Sequence, residues 1–241
     1  ISACLVGSEM CIRDNPQYTT KTEIRQYFGA KTVDFPGRFR YDKNAIQNRQ
    51  EFTIMQTVSL PVLKAGEYAG GVWYYEPHTY QSYRYVLGRV GRHPLVCIGI
   101  NPSTAQPGAL DPTLKSVERL ANANGFDSWI MFNVYPQRAT DPNDMDRVPD
   151  RALCDENLRW LRAVLAETEP TMWAAWGTLI EKRDYLPGLM REMVALTRER
   201  EIPWVTFGKR SKKGHPHHPL YLRKDSTPEP FDVENLSLIH I

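Results

Sequence analysis

Four short runs of uninterrupted apolar character, near residues 95–100, 129–135, 171–176 and 204–207, constrain this chain more than any other feature. A strand with one wet face alternates apolar and polar residues, whereas a run apolar throughout fits a strand covered on both faces. Helical patterns lie between the runs. Asp111-Pro112-Thr113 opens the first, with Asp as N-cap and Pro at the first helical position; Leu114, Val117 and Ala121 follow at helical spacing, and Gly125 suits the stop. The second spans about 151–168, with Cys154, Leu158, Leu161 and Leu165 on one face. The third turns Leu189, Met190, Met193 and Leu196 inward. Strands alternating with helices predict an α/β chain, a three-layer α/β/α domain over residues 82–235 with a mainly parallel central sheet of about four strands. Residues 15–81 are rich in aromatics and broken by Phe35-Pro36-Gly37, Lys64-Ala65-Gly66 and Gly70-Gly71. They read as an N-terminal extension with short strands at 52–60 and 72–75, and after them Tyr83–Arg89 alternates loosely and reads as a strand.

The two ends read differently. Met10-Cys11-Ile12-Arg13-Asp14 and Leu236-Ser237-Leu238-Ile239-His240-Ile241 can be written as translations of one inverted DNA element, and Leu5-Val6-Gly7-Ser8-Glu9 resembles translated sequencing adapter. Residues 1–14 and 236–241 are therefore expected to be adapter artefact and are set aside. That removes Arg13, Glu9 and Asp14 from the charge balance and moves the net charge from +2 by one unit to +3. It also leaves Cys97 and Cys154, which form no CxxC pair and are expected to be buried free thiols in a reducing cytoplasm. No apolar run approaches the roughly 18 residues of a membrane span, so no membrane partner is expected. The near-balanced charge argues against a generally basic nucleic-acid carrier but leaves room for a local basic patch.

In an open α/β sheet, ligands sit outside the carboxyl ends of the strands, so the residues that follow each run are the ones to inspect. After the first comes Asn101-Pro102-Ser103-Thr104-Ala105; near the end of the second stands Asn133, followed by Tyr135-Pro136-Gln137-Arg138-Ala139-Thr140. The third ends in Trp176-Gly177, and the fourth runs into Lys209-Arg210-Ser211-Lys212-Lys213-Gly214-His215-Pro216-His217-His218-Pro219-Leu220. No close carboxylate pair, Gly-x-Ser-x-Gly elbow, Walker loop or dinucleotide fingerprint is present, so no cofactor is expected. Three histidines in a span of four invite a metal, but neighbouring residues rarely all face one ion and no second ligand cluster has zinc spacing; none is expected. Asp111 reads as a helix cap, and Trp173 and Trp176 as core.

The series Tyr83-Arg84-Tyr85-Val86-Leu87-Gly88-Arg89, Asn101-Pro102-Ser103-Thr104-Ala105, Asp111-Pro112-Thr113, Trp176-Gly177 and His218-Pro219-Leu220-Tyr221 resembles the "domain of unknown function 1643" family over roughly residues 83–222, a family with no established activity. A wider resemblance is to the uracil-DNA glycosylase superfamily. Gly99-Ile100-Asn101-Pro102 is similar to its water-positioning motif, Met131-Phe132-Asn133 to its base-reading segment, and His215–Leu220 to its His-Pro-Ser-Pro-Leu segment. Ser103 stands where those enzymes carry Gly or Tyr, and the aromatic that should stack on the base is not identifiable.

That resemblance implies a uracil-glycosylase-like fold and a set of roles. Breaking an N-glycosidic bond builds positive charge on the sugar and negative charge on the departing base. Asn101 would orient the water, though an amide is no general base, so turnover should be slow. Asn133 would read a pyrimidine edge with one donor and one acceptor. His218, or else His215, would donate to the anionic base oxygen. Ser103, Thr104 and Arg138 are further substrate-binding candidates. Lys209, Arg210, Lys212 and Lys213 would hold phosphates, making DNA or a nucleotide the expected partner. The same features leave open a non-catalytic nucleic-acid or nucleotide-binding module, or another chemistry in the same pocket.

Overall fold

The computed structural model describes residues 59–235 and the backbone of two short strands nearer the N-terminus. The contacts divide the chain into two units, residues 1–59 and 60–241. In the first, β1 (Thr32–Asp34) pairs antiparallel with β2 (Arg38–Arg40), flanking the Phe35-Pro36-Gly37 turn signal. The strand read at 52–60 falls mostly outside the described residues, as do the two terminal segments read as adapter.

The second unit is built on one sheet of eight strands. In chain order these are β3 (Ala65–Tyr68), β4 (Gly71–Glu76), β5 (Val86–Arg89), β6 (Pro94–Gly99), β7 (Ser128–Asn133), β8 (Thr171–Ala174), β9 (Trp204–Phe207) and β10 (Pro228–Pro230). Their spatial order is β10-β9-β8-β6-β7-β5-β4-β3. Three helices join them: α1 (Pro112–Ala123), α2 (Arg151–Glu167) and α3 (Leu186–Arg198). Every residue of β6 and β7 is buried. The reason is two-sided cover. Leu114, Val117 and Leu120 of α1 pack with Leu95, Cys97, Trp129 and Met131. Leu161 and Val164 of α2 and Met190 and Met193 of α3 pack with Val96, Ile98, Ile130 and Phe132. Cys97 and Cys154 are free and buried, and Trp173 and Trp176 lie in the core. Among the described residues no helix is long and apolar enough to cross a membrane.

The expectation of a mainly parallel, four-stranded, three-layer α/β/α fold of the uracil-glycosylase kind is overturned. The β6–β7, β6–β8 and β8–β9 pairings are parallel, but β3–β4, β4–β5, β5–β7 and β9–β10 are antiparallel, so the eight-stranded sheet is mixed and mostly antiparallel. The added strands carry weak signals. β3 reads Ala-Gly-Glu-Tyr and β10 Pro-Glu-Pro; neither is apolar, and proline is tolerated on a sheet edge where no donor is needed. The strand at 72–75 is present within β4, but it joins this sheet through a two-residue hairpin. Ala69 and Gly70 both have positive φ there, the turn geometry whose twist suits a hairpin.

Candidate functional site

The carboxyl ends of β6 and β7 lie side by side, with Gly99 opposite Asn133. Space there is tight: a Cβ at position 99 would stand 2.6 Å from the mobile end of Met131 and 3.0 Å from the Asn133 side-chain amide. Beyond the strands the two chains stay in register, with Val134 N–H donating to Gly99 O and Tyr135 N–H to Ile100 O, each at 2.9 Å. Asn101 then ties the loops together: its Nδ2 donates to Ala139 O at 2.7 Å and to Pro102 O at 3.1 Å. With the amide nitrogen so engaged, Oδ1 is the atom left as an acceptor without a donor among the described residues.

A cavity of about 320 Å³ opens at this rim. Asn101, Asn133 and His218 all line it, although they come from three distant stretches of sequence. His218 is positioned by Pro219-Leu220-Tyr221, a short 3₁₀ turn whose Leu220 N–H donates to His218 Nδ1 at 3.3 Å. A ring nitrogen that accepts a hydrogen bond is unprotonated, so the neutral ring carries its hydrogen on Nε2 as a donor. Burial holds the imidazole pKa below its ordinary value, opposed by the charge of Asp111. The turn is fastened to α1, since Ser116 Oγ donates to Pro219 O at 2.8 Å. The N-terminus of the same helix contributes Asp111, which caps it through Oδ1 (2.8 Å to Leu114 N) and also lines the cavity.

Beneath lies Arg84, 1% exposed. Its Nη1 donates to Ala105 O at 3.2 Å, and its Nε has no partner. With the Asn133 amide turned so that each atom meets a complementary group, Asn133 Oδ1 accepts from Arg84 Nη2 at 3.3 Å and Nδ2 donates to Asn101 O at 3.2 Å. Asn133 is itself fully buried, and Asn157 of α2 donates to its carbonyl at 2.9 Å. Both ends of its amide therefore work inside the protein. Burial, then the neighbouring Arg138 charge, push the Arg84 pKa down to about 9.

The remaining expected residues separate. Ser103 lines the cavity, its Oγ 3.2 Å from Thr140 Oγ1, while Thr104 is exposed and outside the lining. Arg138 also lies outside it, holding the 103–105 loop through Ser103 O and Ala105 O and packing 4.2 Å from the Tyr80 ring centre. His215 is buried elsewhere, its Nε2 2.8 Å from Glu181 Oε1. Lys209, Arg210, Lys212 and Lys213 are exposed on a loop that does not reach the lining; Lys213 pairs with the same Glu181 at 2.6 Å. Among the described residues no group of three or more His, Cys, Asp or Glu is arranged to hold a metal.

Sequence reasoning missed Arg84, the cavity face of Asp111, and an apolar rim of Leu179, Leu220 and Tyr221, all exposed and all lining the cavity. For Arg84 a signal existed, a charge inside the stretch 83–89 that reads as a strand. Tyr221 is 73% exposed, with its ring 6.1 Å from that of His218.

A family model described as "Protein of unknown function (DUF1643)" matches residues 84–220, a span that begins and ends on two cavity-lining residues. No curated protein and no solved structure matches the chain.

Proposed function

This chain belongs to the DUF1643 family of proteins of unknown function, and we propose that its cavity binds a nucleobase or nucleotide and breaks the N-glycosidic bond. The observation that carries the reading is the convergence of Asn101 and His218, together with the carboxylate of Asp111, on one cavity of about 320 Å³. That volume lies at the small end of ligand pockets and suits a single base or nucleotide. His218 Nε2–H is a neutral donor for the oxygen of a departing base, where negative charge grows. Asn101 Oδ1 is an acceptor able to hold one hydrogen of an attacking water. An amide takes no proton, and Asp111 supplies the missing basic group; its charge also favours the cationic sugar. Asn133 drops out as a reader of the base edge, since its amide is occupied by Arg84 and Asn101; it positions those two groups instead. Tyr221 offers an exposed ring on which a base can stack. Lys209, Arg210 and Lys212 would contact phosphates only if the substrate is a polymer extending past the rim.

The test is base release, followed chromatographically, from nucleosides, nucleotides and modified-base oligonucleotides. Release by the wild type that falls by about 10²-fold or more in Asn101→Ala and in His218→Ala is the expected result. A folded wild-type protein that releases no base from any of them overturns the glycosidic step. Ligand binding without reaction would then select a non-catalytic nucleotide-binding module, a reading favoured by the internal engagement of the Asn101 amide nitrogen.

A further inference from the structure

Arg84 is a charged side chain in the wrong company. A fully buried guanidinium is costly unless an anion compensates it, and buried arginines normally meet a carboxylate. Among the described residues none lies within ion-pair distance of Arg84. Its acceptors are neutral, the Ala105 carbonyl and the Asn133 amide oxygen, and its Nε is unpartnered. A second cation adds to the imbalance: Arg138 donates to the same Ala105 carbonyl at 3.1 Å, its remaining acceptors are the Ser103 carbonyl and the Tyr75 hydroxyl, and its own Nε is also unpartnered. Asp111 acts on Arg84 through space only. The cavity is where a compensating charge can enter, because Arg84 is part of its lining.

We propose that the ligand of this cavity carries an anionic oxygen group, phosphate or carboxylate, and that Arg84 is its anchor. This rests on the reading of the cavity as a nucleotide site and sharpens it: the free substrate is a nucleoside phosphate or a carboxylated base rather than a neutral nucleoside. Arg84 is suited to the task by its planar fork of donors. Asn133 keeps the fork in place, and the 103–105 loop, held by Arg138, supplies the other carbonyl.

Calorimetric titrations at constant ionic strength in chloride test the anchor, with five probes: orthophosphate, acetate, a pyrimidine nucleoside, its 5′-monophosphate and the carboxylated base orotate. The wild type is expected to bind orthophosphate or acetate saturably and to bind the monophosphate or orotate at least about tenfold more tightly than the nucleoside. Arg84→Met should abolish that preference and Arg84→Lys should restore part of it. Orthophosphate against acetate, and monophosphate against orotate, distinguish the two sources of the charge. Equal binding of nucleoside, monophosphate and orotate, with no saturable binding of either simple anion, overturns the anchor while leaving the nucleotide site standing. Binding of a simple anion that Arg84→Met removes, with no binding of nucleoside, monophosphate or orotate, does the reverse. No binding of any probe to the folded wild type overturns both. The wild-type comparisons decide the matter even if Arg84→Met fails to fold.

Discussion

Asp111 serves a helix and a cavity with one carboxylate. Oδ1 accepts the Leu114 N–H, and Oδ2 has no donor among the described residues. The two roles come apart under substitution, because Asn caps a helix about as well as Asp but has no charge and no basicity. Asp111→Asn should therefore shift stability by less than about 1 kcal/mol, the scale of a lost charge–dipole contact, while base release falls by about 10²-fold. Asp111→Ala should lose the cap as well, about 1 kcal/mol in urea denaturation. Full activity in Asp111→Asn would remove the carboxylate from the chemistry. At this scale the sequence was partly legible. Asn101 and His218 stand where a polar residue follows a buried strand or leads a Pro-bounded turn, and such positions face the ligand rim. Asn133 was equally visible, yet its role was not. Nothing local indicates that a guanidinium from residue 84 reaches its amide oxygen and that the Asn101 carbonyl takes its other end.

At the scale of elements, β6 and β7 were readable because a strand covered on both faces must be apolar throughout. β3 and β10 were not, since edge strands need no apolar pattern. The joint that turns the parallel strands into a mixed sheet is β5 against β7, and Gly88 makes it possible. A Cβ at position 88 would lie 2.4 Å from Trp129 O and 2.7 Å from Ile130 Cα, backbone atoms that cannot swing aside. Gly88→Ala should destabilise the fold by about 1–3 kcal/mol or more, the range for overpacking a filled site. Chemical denaturation with a reversible two-state transition measures it; an unchanged midpoint would contradict the close β5–β7 pairing.

For the molecule as a whole, the antiparallel side of the sheet reaches the cavity through Arg84, just before β5. The parallel strands β6 and β7 carry Asn101 and Asn133 to the rim, α1 and the turn after β9 bring Asp111 and His218, and the segment leading into β5 places Arg84 under the cavity. The sequence reads residues 83–89 as a strand, and β5 lies within that stretch, but its antiparallel place beside β7 is not legible there. Antiparallel neighbours are chosen by long-range pairing, which apolar periodicity does not encode. The four cations of the 209–213 loop, which drew attention in the sequence, sit outside the cavity, and the cation that lines it is the buried Arg84. The most direct measurement of the central claim is the imidazole ¹⁵N spectrum of His218 during titration with a pyrimidine nucleoside monophosphate. A saturable shift at Nε2 is expected, with Nδ1 still accepting the Leu220 N–H. A His218 ring that stays unmoved while the nucleotide binds would place the ligand elsewhere and contradict it.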